Sequence, residues 1–180
     1  MTRSALFNAE SPGNATRASP PWVVRPATAE DLPRMAALAA ELVRFHHGLD
    51  PARFFLPEKV EDGYRWWLGR ELPSASAILL VADRGDGTTV GYVYGRVEER
   101  DWNMLLDRHA ALHDVLVSEA ARRAGVAEAL VEAFVARARE LGAPRIVLHT
   151  AVANEAAQRL FARLGFRPTM VEMTRELERP

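Results

Sequence analysis

The sequence predicts one domain of the α/β class, α+β type, and three observations carry that prediction. Residues 77–82 and 89–97 are two β-rich apolar runs on either side of a turn holding Gly85 and Gly87, the pattern of an antiparallel hairpin. Asp114, Val115, Leu116 and Val117 then form a short strand, broken at residues 118–121 and followed by a helix opening at Arg122 and running to about Leu141. A further apolar run at 145–150 follows that helix and is expected to be another strand.

Composition agrees. At 180 residues the chain suits one domain with a real core and is short for two. A hydrophobic content of 48% and a net charge of −1 describe a soluble globular protein, and they favour neither nucleic acid nor a membrane surface as partner. Lys59 is the sole lysine, so arginine abundance reflects biased composition and no single arginine is informative alone. The chain has no cysteine, which removes disulfides, thiolate metal sites and cysteine nucleophiles. No apolar run reaches membrane-spanning length, and a cytoplasmic protein is expected.

The elements follow in order. Residues 1–21 are rich in Ser, Ala, Asn and Pro without apolar periodicity and are expected to be a mobile tail; residues 22–180 form the domain. Residues 22–25 make the first strand. Thr28 and Asp31 stand at capping-box spacing ahead of a helix to about Phe45, with Leu32, Met35, Leu38, Leu42 and Phe45 near one face. His46 and His47 end it; adjacent side chains do not share a helix face, so a polar helix end near a pocket suits them better than a metal site. Pro57 fits the first turn of a second helix reaching about Leu72, where Tyr64, Trp66 and Trp67 supply core packing and one ring is a candidate to line a pocket. Gly85 and Gly87 belong to the hairpin, since no helix follows them to hold a phosphate. Tyr92 and Tyr94 share a face of the second hairpin strand. Residues 98–109 form a connection whose Glu98, Glu99 and Asp101 are candidates for an acidic rim that attracts a cation. Residues 169–177 alternate and are expected to close the sheet as a strand.

Chemistry concentrates after the central strand. Ala124, Gly125 and Ala127 are small enough to let backbone approach a ligand, and the first-turn amides of a helix carry partial positive charge. Arg122 and Arg123 add fixed charge, so the turn suits a phosphate or pyrophosphate, although an arginine pair ahead of a helix also suits solvent. The ordered set of strand, R-x-x-G-x-A turn from Arg122 to Ala127, helix, strand, Asn154-x-x-Ala157-x-x-Leu160-Phe161 and Gly165-Phe166 resembles the GCN5-related N-acetyltransferase (GNAT) superfamily. One position departs: Phe161 stands where the family often carries tyrosine.

The resemblance implies a mixed, mainly antiparallel sheet flanked by helices, whose central parallel strands at 112–117 and 145–150 splay apart. It implies acetyl-CoA as co-substrate, its pantetheine arm bonded to backbone near Val115 and Val117. The pyrophosphate would rest on Arg122, Arg123, Ala124, Gly125, Val126 and Ala127, with Asn154 and Phe161 completing the cofactor contacts. The reaction implied is direct attack of a primary amine on the thioester, with the Val117 amide as oxyanion donor. His113, which matches a histidine of the arylalkylamine acetyltransferases, is favoured as base over Glu119, with His149 third. On a regular strand His113 shares a face with Val115 and Val117, and Asp114 points away. Tyr92, Tyr94 or water would replace the missing acid. No metal is implied, the acceptor is a small-molecule or peptide amine, and a homodimer is compatible with the family. A catalytically weak or inactive acyl-CoA binder, acting as sensor or partner subunit, is the alternative motivated by Phe161. A dinucleotide-binding domain is disfavoured, because G-x-G-x-x-G is absent.

Overall fold

The computed structural model describes residues 22–177, so the expected tail at residues 1–21 lies outside the described residues. The elements are β1 (Trp22–Pro26), α1 (Leu32–Leu49), α2 (Val60–Glu71), β2 (Ala77–Arg84), β3 (Thr89–Glu98), β4 (His109–Val117), α3 (Val126–Glu140), β5 (Ile146–Leu148) and α4 (Glu155–Arg163). Short 3-10 turns at Ala29–Asp31 and Glu119–Ala121 precede α1 and α3. The five strands form one sheet in the order β1-β2-β3-β4-β5, antiparallel except for the parallel β4–β5 pair. This is the mixed, mainly antiparallel sheet expected from the sequence.

Each face of the sheet carries its own core, as alternation along the strands requires. Leu80, Val93, Leu112 and Val117 pack against Leu130, Val131 and Phe134 of α3. On the opposite face Leu79, Val81, Tyr92 and Tyr94 meet Met35 and Leu38 of α1 and Leu68 of α2. Gly95 on β3 is required by close packing. A Cβ there would stand 2.2 Å from Ala111 O and 2.6 Å from the Phe134 ring, positions that real atoms do not share. The start of α1 is locked to the sheet by Arg25, which forks onto both oxygens of Asp31 at 2.8 Å and also binds Asp83 Oδ2. Asp31 Oδ2 in turn accepts the Thr28 amide at 2.8 Å, and the Arg25 guanidinium holds its carboxyl well below the usual range.

Three sequence expectations change. First, α1 runs through His46 and His47 to Leu49, and α2 begins at Val60 rather than at Pro57. Second, residues 169–177 form no strand; Met170, Val171, Met173 and Leu177 are between 72% and 90% exposed. Alternation shows that a segment can enter a ladder, but a ladder also needs an edge within reach. Here Glu172 is instead held by Arg53, in the α1–α2 connection. Third, β4 is not a regular strand, and that irregularity builds the site.

Candidate active site

β4 outruns its neighbour. Its parallel pairing with β5 ends at Leu112↔Leu148, while the strand itself continues to Val117. The Ser118 amide donates to Val90 O at 2.8 Å, so alternation turns the amides of Val117 and Val115 away from β3, toward the edge that β5 has left. Arg122 Nε donates to Val117 O across 3.3 Å on that edge. The result is a fork lined by backbone donors and acceptors, the kind of groups that need partners when half buried.

The turn after the fork is preorganised for an anion. Arg123 and Gly125 both have left-handed backbones, with φ of 63° and 82°. A Cβ on Gly125 would meet only the Trp22 ring at 3.8 Å, so the glycine serves the backbone angle rather than a shortage of space. The first backbone bond into Gly125 O comes from Ala129, and the amides of Arg123, Ala124, Gly125, Val126 and Ala127 take no hydrogen-bond acceptor among the described residues. Five amides without an acceptor among the described residues, two exposed arginines and the start of a 15-residue helix give this turn its positive character.

On the α1/α2 side, a bulge assembles the titratable groups. Tyr94 pairs with Asp114 but Gly95 pairs with Leu112, which leaves His113 without a β3 partner. The extra residue breaks alternation, so His113 and Asp114 face the same side. This corrects the expectation that Asp114 points away, and it also separates His113 from the face of Val115 and Val117. His113 stacks on the Tyr94 ring at 5.4 Å and places Nε2 3.1 Å from Glu98 Oε1. A carboxylate only accepts, so Nε2 is the donor in this bond, and in the neutral ring the lone pair is on Nδ1. Asp114 is 8% exposed and accepts a bond from Tyr92 Oη at 3.1 Å, its only donor among the described residues. Burial pushes its carboxyl up to about 6, against the opposing pull of the Tyr92 bond.

Both side chains open into a cavity of about 470 Å³ between α1, α2, their connection and β4. Leu42, Phe54, Phe55, Tyr64 and Trp67 supply its apolar walls. Trp67 stands edge-on to Tyr94 at 4.8 Å and so braces the ring under His113. Two of the three aromatic residues of α2 therefore line the cavity, while Trp66 is 64% exposed beneath Arg70.

The remaining sequence candidates sit elsewhere. Glu119 is exposed at the start of the 3-10 turn beyond β4, and His149 is exposed after β5; neither lines the cavity. Asn154 caps α4, its Oδ1 accepting the Ala157 amide at 3.2 Å. Phe161 is 7% exposed in the α3-side core, edge-on to Phe166. Tyr92 and Tyr94 are poor substitutes for a missing acid, because their hydroxyls already bind Asp114 and Glu71 and burial raises both above the ordinary tyrosine value. The acidic rim is largely neutralised: Glu99 pairs with Arg108, and Asp101 caps its own loop through the Asn103 and Met104 amides. Only Glu98 reaches the site. His46 and His47 bond to separate carbonyls, Leu42 O and Phe54 O, and no cluster of three metal-ligating side chains occurs among the described residues.

Comparison with known proteins places this geometry. The family model for the acetyltransferase (GNAT) family matches residues 39–166, which include the cavity, the fork and the turn. The chain belongs to the GNAT family. An uncharacterized N-acetyltransferase, YdgE of Bacillus subtilis strain 168, is 34% identical over 70 residues; that match covers 39% of this chain and 45% of YdgE, less than half of its length. Among solved structures, a mutant of the BH1408 protein from Bacillus halodurans superposes with a TM-score of 0.76 at 18% identity, over 87% of this chain and 99% of that one. The aminoglycoside N-acetyltransferase AAC(6')-Iy in complex with CoA gives 0.66 at 18% identity, over 87% and 94% of the two chains. At these identities the two structures show a shared GNAT fold.

Proposed function

We propose that this GNAT chain is an acetyl-CoA-dependent N-acetyltransferase that modifies a primary amine by direct attack on the thioester. The observation that carries the reading is the convergence at one stretch of β4. Residues 115–117 turn backbone toward the fork, and the adjoining bulge turns His113 and Asp114 into a cavity on the other side.

The residues present fit acetyl-CoA. The amides of Arg123 to Ala127 match a pyrophosphate, with Arg122 and Arg123 as fixed countercharge, and the fork edge at Val115 and Val117 matches an extended amide-bearing arm. Acetyl-CoA supplies the activated acetyl group; the protein supplies position and proton traffic. The Val117 amide is placed to donate to an oxyanion. His113 Nδ1 accepts a proton from the incoming ammonium, directly or through one water, while Glu98 holds the ring. Phe161 has no proton to give. A thiol of pKa about 8.5 leaves tolerably as thiolate, so the missing hydroxyl slows turnover without forbidding it.

The test is release of coenzyme A from acetyl-CoA across a panel of primary amines. Amine-dependent release supports the enzyme. The buried Phe161 favours one second reading, an acyl-CoA binder that does not turn over, and acetyl-CoA binding without release for any amine would select it.

A further inference from the structure

The cavity beside His113 has a charge layout that restricts the amine. Its most buried ionisable group is Asp114, while Lys59 and Arg53 line it from exposed positions in the α1–α2 connection. Between them lie Leu42, Phe54, Tyr64 and Trp67, which offer rings, methyls and one phenolic hydroxyl but no second carboxylate. Resting on the N-acetyltransferase reading above, we infer that the acceptor is a monoamine carried on an aromatic or comparably bulky apolar body, with Asp114 as the carboxylate that receives its ammonium. The volume, about 470 Å³, falls in the range of small-molecule sites, roughly 300–1,000 Å³.

Attraction and exclusion act together in this cavity. A carboxylate this buried destabilises its own charged form, so a cation docked against it recovers a favourable partner that no residue among those described provides. The groups facing it are Tyr92 and Tyr94 of β3, Tyr64 of α2, His46 of α1 and His113 of β4, with Lys59 and Arg53 farther out; Arg53 is already committed to Glu172. An ammonium at Asp114 also lies beside His113, the next residue on the same face, so the group that anchors the cation and the group that takes its proton are distinct. A polyamine or aminoglycoside would have to bury further ammonium groups against rings and near Lys59; the cavity lining holds no second carboxylate, and Glu98, behind His113, is already bonded to that ring.

The test uses the full chain with saturating acetyl-CoA and three probes: 2-phenylethylamine, spermidine and kanamycin. Coenzyme A release gives kcat/KM, and calorimetry gives binding of each amine in the absence of acetyl-CoA. The expected result is kcat/KM for 2-phenylethylamine at least tenfold above both polycations. Asp114→Asn should weaken calorimetric binding of 2-phenylethylamine at least tenfold, and Phe54→Ala, in a partly exposed loop, should lower its kcat/KM with the melting temperature kept. For the wild type this binding should tighten as pH rises through about 6, where Asp114 ionises. Preference for spermidine or kanamycin overturns the monoamine inference and leaves the N-acetyltransferase standing. Unchanged binding in Asp114→Asn removes Asp114 as anchor, and no release with any amine removes both readings.

Discussion

His113 and Asp114 are consecutive in the chain and face the same side of the sheet, because the register of β4 against β3 passes from Asp114 to Leu112 and skips the histidine. One is exposed, with its ring held by Glu98 and Tyr94; the other is 8% exposed under Tyr92. A regular strand would have put them in different cores. The bulge thus converts two adjacent residues into two titratable groups of one cavity, at different depths.

Asp114 makes stability depend on pH. Its folded value of about 6 exceeds the unfolded 3.8, so the native state keeps a proton that the unfolded chain releases. Its contribution is therefore fully present below about pH 4 and is lost as pH rises through 6. Asp114→Asn, which leaves Tyr92 an acceptor, should exceed the wild type in stability by up to about 3 kcal/mol at pH 8, with the gap closing below pH 4. Urea unfolding at pH 4, 6 and 8 measures this. A difference that does not vary with pH would contradict the assignment.

Gly125 separates a backbone requirement from a ligand requirement. At φ 82° an alanine is strained, and Gly125→Ala should lose about 1–2 kcal/mol without loss of the fold. Acetyl-CoA should raise the melting temperature of the wild type, and the alanine variant should bind it about tenfold more weakly, the equivalent of about 1.4 kcal/mol. Calorimetry on folded protein checks both. Equal affinity would make the turn no more than the start of α3.

How far the sequence carried can be seen element by element. The hairpin, the R-x-x-G-x-A turn and most of the core face of α1 were legible, because glycines, caps and apolar periodicity act locally; Phe45, assigned to that face, is 47% exposed. The parallel pairing of β4 with β5 and its early end were legible only through the family resemblance, since length and pattern do not say where two strands part. Asp114 was misplaced because a period of two assumes a regular strand. Two adjacent polar residues inside the run Ala110-Ala111-Leu112-His113-Asp114-Val115-Leu116-Val117 break that period, and this was the available signal of a bulge. Residues 169–177 failed for the opposite reason: the alternation is real, but no edge pairs with it among the described residues. The acidic rim failed because charge in a sequence carries no partners, and Arg108 takes up Glu99.

Phe161 offers a test of the missing hydroxyl. Its ring is buried against Phe166, so Phe161→Tyr introduces a polar group into apolar surroundings at about 1–3 kcal/mol unless it finds a partner. Turnover should change by less than about tenfold, since a thiolate already leaves tolerably. Steady-state kinetics with one good amine decides it. A gain of roughly a hundredfold would show that acid catalysis limits the natural enzyme.

The most direct measurement of the account is turnover by His113→Gln, taken together with its affinity for acetyl-CoA. The ring stacks on Tyr94 and binds Glu98 from an exposed position, so glutamine at this place should leave the fold and the acetyl-CoA site intact. The account predicts a fall in kcat of about 10²–10⁴ with acetyl-CoA affinity unchanged, the scale of a lost general base. A folded His113→Gln protein that releases coenzyme A at the wild-type rate, with the wild-type pH profile, would contradict it.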